Sequence, residues 1–296
     1  MSTKSRTHTL EPGSLRHRIL ARPSSYAPPI QWGPELLNDI DCDLLPTSTD
    51  DDCNNSTIPV IEDARVADAL DVLSSARVRK NKDEAARGLF RLLIPTDQSA
   101  FKASSFSPHL LFDGKPVAPT PSPLLFRSTA TSRPIFAFVD KTWLSDQRYK
   151  VFRRHTVKTA YKIVQSMIKL DFDPYIAGLL LSMAQNSCSF TADDEIQVHV
   201  FSPSTDHKSL TQYSSNVSRQ YLRKWEKSYE SSSCRLTITR KKLPFDQPNA
   251  IIQAMCKIEK PHAYSLGTLV SPQKRKVMSD ITNRLDKSPA VKRVRH

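Results

Sequence analysis

The sequence predicts an α+β protein: one small core domain with a few-stranded sheet and packed helices, flanked by long disordered arms. Three observations carry this. Apolar residues recur at helical spacing through 148–170, and an almost wholly apolar helix follows Asp173-Pro174. Residues 196–201 and 235–240 have strand composition, with a short helical stretch between them. Helices precede strands without the regular alternation of a βαβ fold, and no internal repeat is visible.

Proline is abundant (21), glycine scarce (6), and only 39% of residues are hydrophobic, so part of the chain is expected to lie outside any core. Residues 1–60 read as a disordered arm, acidic in its second half, with Pro23, Pro28, Pro29 and Pro34 and the run Asp50-Asp51-Asp52. Within it, Trp32, Leu36, Leu37, Ile40, Leu44 and Leu45 mix with Glu35, Asp39, Asp41 and Asp43, a composition that suits a short motif folding on a partner. Residues 61–94 read as a helical segment broken near Asn81, from Val66, Leu70, Leu73 and then Leu89, Leu92, Leu93, with Pro95 as a stop. Residues 95–133, with Pro119, Pro121 and Pro123, read as a Pro/Ser-rich linker.

The α+β core is placed at 134–260. Residues 135–139 read as a strand. In the helix at 148–170, Phe152, Ala160, Ile163, Val164 and Met167 share one side, while Lys150, Arg154, Lys158 and Lys162 repeat at i,i+4 on the other. Asp173-Pro174 restarts a helix, with proline at its first position. A strand at 196–201 ends at Pro203; a weaker strand at 209–217, a short helix at 218–225, a half-buried strand at 235–240 and a helix at 248–258 follow. Residues 261–296 read as a disordered basic tail.

The block from Asp173-Pro174-Tyr175 through Gly178 and Leu179-Leu180-Leu181 to Ala184-Gln185 is similar to a segment in uncharacterised proteins of filamentous ascomycete fungi. The similarity continues through residues 197–200, Tyr213, Tyr221 to Trp225, and 236–240, covering about residues 160–258. It departs after Arg240, where Lys241-Lys242-Leu243-Pro244 replaces a more apolar continuation. The resemblance implies a lineage and one α+β core; it implies no activity, cofactor or site residue.

Formal charge is +13, unevenly spread. Residues 35–71 hold eleven acids and one base; residues 271–296 hold eight bases and two acids. A basic chain with an acidic block suggests a polyanion partner, or no more than solubility and a localisation signal. Cys42, Cys53, Cys188, Cys234 and Cys256 are odd in number, far apart and without a C-x-x-C pair, so neither a zinc site nor a disulfide framework is expected. No apolar signal-peptide core follows the early charges, and the longest apolar run, 176–181, is too short to span a bilayer. A nuclear location without a membrane partner is expected.

No G-x-S-x-G is present, and six glycines leave little room for a nucleophile elbow or a phosphate loop. No catalytic residue and no cofactor are assigned. Asp193, Asp194 and Glu195 precede a strand and Asp206 follows it, but neighbours on a strand point to opposite faces and seldom converge on one ion. His199 and His207 lack further metal ligands, and no metal site is assigned. Lys150, Arg154, Lys158 and Lys162, with Lys169 close by, are a possible phosphate-binding stripe, to which Tyr149 or Tyr161 would add stacking. In the tail, Lys274-Arg275-Lys276 and Lys292-Arg293-Val294-Arg295 stand fifteen residues apart and resemble a bipartite nuclear localisation signal read by an importin. Ser271-Pro272 and Ser288-Pro289 are possible proline-directed phosphorylation sites, and residues 275–283 resemble a destruction box with Met278 in place of leucine. The favoured reading is a non-enzymatic nuclear protein that binds a protein or nucleic-acid partner. Its rivals are a sequence-nonspecific DNA/RNA-binding protein using the helix face and tail, and a degenerate or unrecognised metal-dependent nuclease.

Overall fold

The computed structural model describes residues 9–22, 27–46, 64–75, 82–93, 101–129, 131–188 and 194–259. The tail clusters, Ser271, Ser288, the segment 275–283, Asp193 and Cys53 lie outside them. The described chain runs through α1 (Leu15–Ala21), a 3-10 turn (Pro29–Gln31), α2 (Glu35–Asp39), β1 (Cys42–Leu44), α3 (Ala64–Ser74) and α4 (Lys82–Leu93). Short strands follow: β2 (Phe101–Ser104), β3 (His109–Phe112), β4 (Lys115–Pro119), β5 (Leu124–Ser128) and β6 (Pro134–Phe138). Then come α5 (Lys141–Phe152), α6 (Val157–Ile168), α7 (Pro174–Ser187), β7 (Glu195–Pro203), β8 (Ser209–Ser218), α8 (Arg219–Glu226), β9 (Leu236–Pro244) and α9 (Pro248–Glu259).

The architecture is α+β. Seven strands form a mixed sheet in the order β1-β9-β8-β7-β6-β5-β2, and β3 and β4 form a separate hairpin. The pairs β6–β7 and β1–β9 are parallel; the other neighbours are antiparallel. Parallel pairing of consecutive strands demands a long crossover, and α5, α6 and α7 supply it between β6 and β7.

Side chains alternate across the sheet. Ile196, Val198 and Val200 of β7 join the core that contains α7 and α8, whereas Phe201 joins the core beneath α3, α4 and α9. On that second face Phe90 of α4 sits among Phe126, Phe136, Phe138 and Phe201, and Phe126 stacks on Phe136 at 4.4 Å.

Thirteen of the fourteen residues of α7 are buried, so a sheet on one side does not account for it. The outer side is covered by the N-terminal segment. A Cβ added at Gly178 would stand 2.6 Å from Pro29 Cβ and 3.1 Å from Trp32 Cζ3, so the crossing requires glycine. Trp32 is 2% exposed, stacks on Trp225 at 6.4 Å, and donates from its indole nitrogen to the Ala27 carbonyl at 2.8 Å.

This overturns the expected disorder of 1–60 for its described part. Trp32, Leu36 and Ile40 need no foreign partner, because α7 and α8 provide the apolar surface they bury against. The linker expected at 95–133 holds β2 to β5 instead. Pro119 ends β4, and Pro121 and Pro123 lie between β4 and β5, where a missing N–H breaks no ladder. The core therefore begins far upstream of residue 134, and its sheet is larger than the pattern of 196–240 implied.

Candidate anion-binding site

β6 delivers the chain to Asp140, whose carboxylate caps α5 by accepting from the Thr142 and Trp143 N–H groups at 3.1 and 3.4 Å. Arg148 then fixes the middle of α5. It is 1% exposed and donates to both carboxylate oxygens of Asp173 at 2.7 and 2.6 Å, and from Nε to the Ile30 carbonyl at 3.1 Å. Asp173 also caps α7, accepting from Tyr175 N–H at 3.0 Å. One guanidinium thus ties α5, the start of α7 and the N-terminal segment together.

Beyond this clamp the single helix expected over 148–170 is two helices. Thr156 explains the break. Its backbone is extended (φ −61, ψ 149) and its side chain accepts from Thr159 N–H at 3.3 Å, so it starts a helix rather than continuing one. Phe152 of α5 packs with Ala160, Val164 and Met167 of α6 in a small cluster of their own. The apolar periodicity is real, but it serves the contact between two helices.

The break redistributes the cationic stripe. Lys150 lies in the last turn of α5, Arg154 in the connection, and Lys158 and Lys162 on α6, so the four are not in line. The connection adds Arg153 and His155, and residues 153–159 are all exposed. A cavity of about 370 Å³ opens at this turn, lined by Lys150, Arg153, Arg154, His155 and, from the N-terminal segment, Gln31. On α6, Tyr161 is 55% and Val157 87% exposed. Lys169 caps the far end, where a cation suits the helix dipole.

No acidic residue stands between Asp146 and Asp171. Among the described residues, Lys150, Arg153, Arg154, Lys158, Lys162 and Lys169 make no ion pair. Several cations elsewhere are matched: Arg18 and Lys224 converge on Asp41, Lys82 lies 3.8 Å from Asp140, Arg235 pairs with Asp43, and Arg240 with Asp171. The surface of α5 and α6 is thus a local excess of positive charge on a rigid support.

The other candidates resolve into local structure. Asp194 and Glu195 are exposed at the start of β7, and Asp206 accepts from Ser204 and from Lys208 N–H within its own turn. Among the described residues no three His, Cys, Asp or Glu side chains are grouped to hold a metal ion. His199 is 4% exposed, its Nδ1 lies 2.8 Å from Ser214 Oγ, and burial pulls its pKa down to about 4. Cys42, Cys188 and Cys234 are free thiols, and burial pushes Cys42 up to about 12, which suppresses the reactive thiolate. Among the described residues no helix is long and apolar enough to cross a membrane.

The i,i+4 reading missed Arg153 and His155 because it assumed an unbroken helix. Two signals mark them in the sequence: the acid-free stretch, and a threonine placed to cap a new helix. Neither family models, nor curated proteins, nor solved structures match this chain.

Proposed function

We propose that this is a non-enzymatic nuclear protein that binds nucleic acid through the phosphate backbone, using the surface of α5 and α6. The observation that carries this is the set of six unmatched cations at 150–169, held in place by the buried Arg148–Asp173 clamp. Such a surface releases condensed counterions when it meets a polyphosphate, and Tyr161 offers a ring for stacking on an unpaired base. Contacts of this kind position a backbone without reading sequence.

The test is a titration of the full chain against a labelled duplex of arbitrary sequence across a range of salt. Log affinity is expected to fall linearly with log salt, by about 0.9 per phosphate contact. Neutralising Arg154, Lys158 and Lys162 together to alanine is expected to weaken binding about a hundredfold at low salt. The melting temperature should hold, because all three side chains are exposed. Salt-independent binding, or an unchanged affinity in the triple variant, overturns the reading.

Nuclear entry is attributed to the tail, with Lys274, Arg275, Lys276, Lys292, Arg293 and Arg295 as the residues an importin takes. Deleting residues 271–296 should abolish nuclear accumulation of a tagged chain and leave its melting temperature unchanged. Persistent nuclear accumulation of the truncated chain removes the tail from this role.

A further inference from the structure

We infer that Thr156 is a phosphorylation site for a protein kinase that selects arginine, and that its phosphate turns down the anion-binding surface; the second half rests on the function proposed above. The stretch Arg153-Arg154-His155-Thr156-Val157 sets two guanidinium groups three and two residues before the hydroxyl and an aliphatic side chain just after it. A kinase cleft with carboxylates for the first two positions and an apolar pocket for the last recognises this pattern through charge-assisted, bidentate hydrogen bonds.

The structure presents every part of the pattern. Residues 153–156 join two helices and, with 157–159 in the first turn of α6, are exposed as one continuous run. Thr156 is already extended, and neither arginine has a carboxylate partner among the described residues. Val157 is 87% exposed although it is aliphatic, because the packed side of α6 begins only at Ala160. That leaves the side chain free for a kinase pocket that takes the residue after the acceptor. No other hydroxyl on α5 or α6 has arginine at both preceding positions.

The reaction draws on MgATP. The bond between the γ-phosphorus and the oxygen bridging to the β-phosphate breaks, a bond to Thr156 Oγ1 forms, the hydroxyl proton passes to the base of the kinase, and ADP leaves. The product carries nearly two negative charges at the N-cap of a twelve-residue helix. That position favours an anion, since the first N–H groups and the helix dipole point at it, so α6 is kept rather than melted. The same charge stands beside Arg153, Arg154, His155 and Lys158 and cancels part of the field that attracts phosphate. The modification therefore acts on charge while the scaffold persists.

The experiment treats the full chain with the catalytic subunit of an arginine-selecting kinase and MgATP, maps phosphate by peptide mass spectrometry, and then measures duplex affinity at low salt. Phosphate at Thr156 is expected, absent in Thr156→Asn and in the Arg153→Ala/Arg154→Ala double variant. Affinity should drop by roughly tenfold or more on phosphorylation. Thr156→Asn keeps a capping side chain, so it should bind duplex normally and ignore the kinase. Label on other hydroxyls with Thr156 untouched overturns the site; phosphate on Thr156 with unaltered affinity overturns the turn-down. A chain that takes phosphate at Thr156 but binds no duplex beforehand supports the site and overturns both the turn-down and the function proposed above. Duplex binding with Thr156 refractory leaves that function standing and sinks this inference.

Discussion

Replacing Arg148 with alanine is expected to destabilise the protein by about 3–5 kcal/mol, the usual cost of stripping one partner from a buried ion pair. Asp173 is 3% exposed and would lose both guanidinium donors, keeping the Tyr175 N–H. The Ile30 carbonyl loses its guanidinium donor, and α5 loses its attachment to both α7 and the N-terminal segment. Lysine is a poor substitute, because a single ammonium cannot match the two carboxylate oxygens and the carbonyl in one planar fork. Denaturant unfolding of the full chain reads the loss directly; a change under 1 kcal/mol would falsify the clamp. Arg148→Met combined with Asp173→Asn should recover much of it, since asparagine still caps α7 and no buried charge is stranded.

Acid should unfold the protein early, and His199 is a main reason. Its pKa is about 4 in the fold against 6.5 for the free side chain, with desolvation as the cause. The unfolded chain therefore binds more protons between those two values, and stability falls as pH drops through that window. Its contribution is intact above pH 6.5, and about 3 kcal/mol is gone by pH 4. Its neighbours are the neutral Ser214 and Gln212, so no adjacent carboxylate offsets the loss. In His199→Gln the stability curve should be flatter by that amount across the same range. An identical pH slope in the variant would assign the acid sensitivity elsewhere.

Local grammar was readable from the residues alone. Asp173-Pro174 announces the cap and first turn of α7, and the alternation in 235–240 announces the half-buried β9. Distant supply of a partner was not. Trp32 and Leu36 look like the apolar face of a free motif until α7 is placed beneath them, and no local pattern states that a helix buried all round needs a second cover. The glycine at 178 is the one residue in α7 that hints at a close crossing, and it says nothing of what crosses. The prolines at 119, 121 and 123 imitate a linker because turn residues dominate short strands joined by tight connections.

The binding surface was half legible for a related reason. Lys150, Arg154, Lys158 and Lys162 were picked out by a helical period that the chain interrupts at Thr156. Their chemistry stood while their alignment did not. The interruption itself brought Arg153 and His155 beside Lys150 around one cavity. A threonine followed three residues later by another threonine is a quieter start signal than a capping box with glutamate, which is why the apolar period overrode it.

The pairing of β1 with β9 has a consequence for synthesis. Cys42 meets Leu236, Asp41 accepts from Leu236 N–H at 2.9 Å, and Tyr221 donates to the Ile40 carbonyl at 2.8 Å. Residues 40–44 thus wait for partners that leave the ribosome almost two hundred residues later. Until then β1 lacks its partner strand, and Trp32, Leu36 and Ile40 stay exposed until α7 and α8 have been made. Closure of the fold falls after translation of the last strand, a window in which chaperones have something to hold and an early stop codon leaves a sticky fragment.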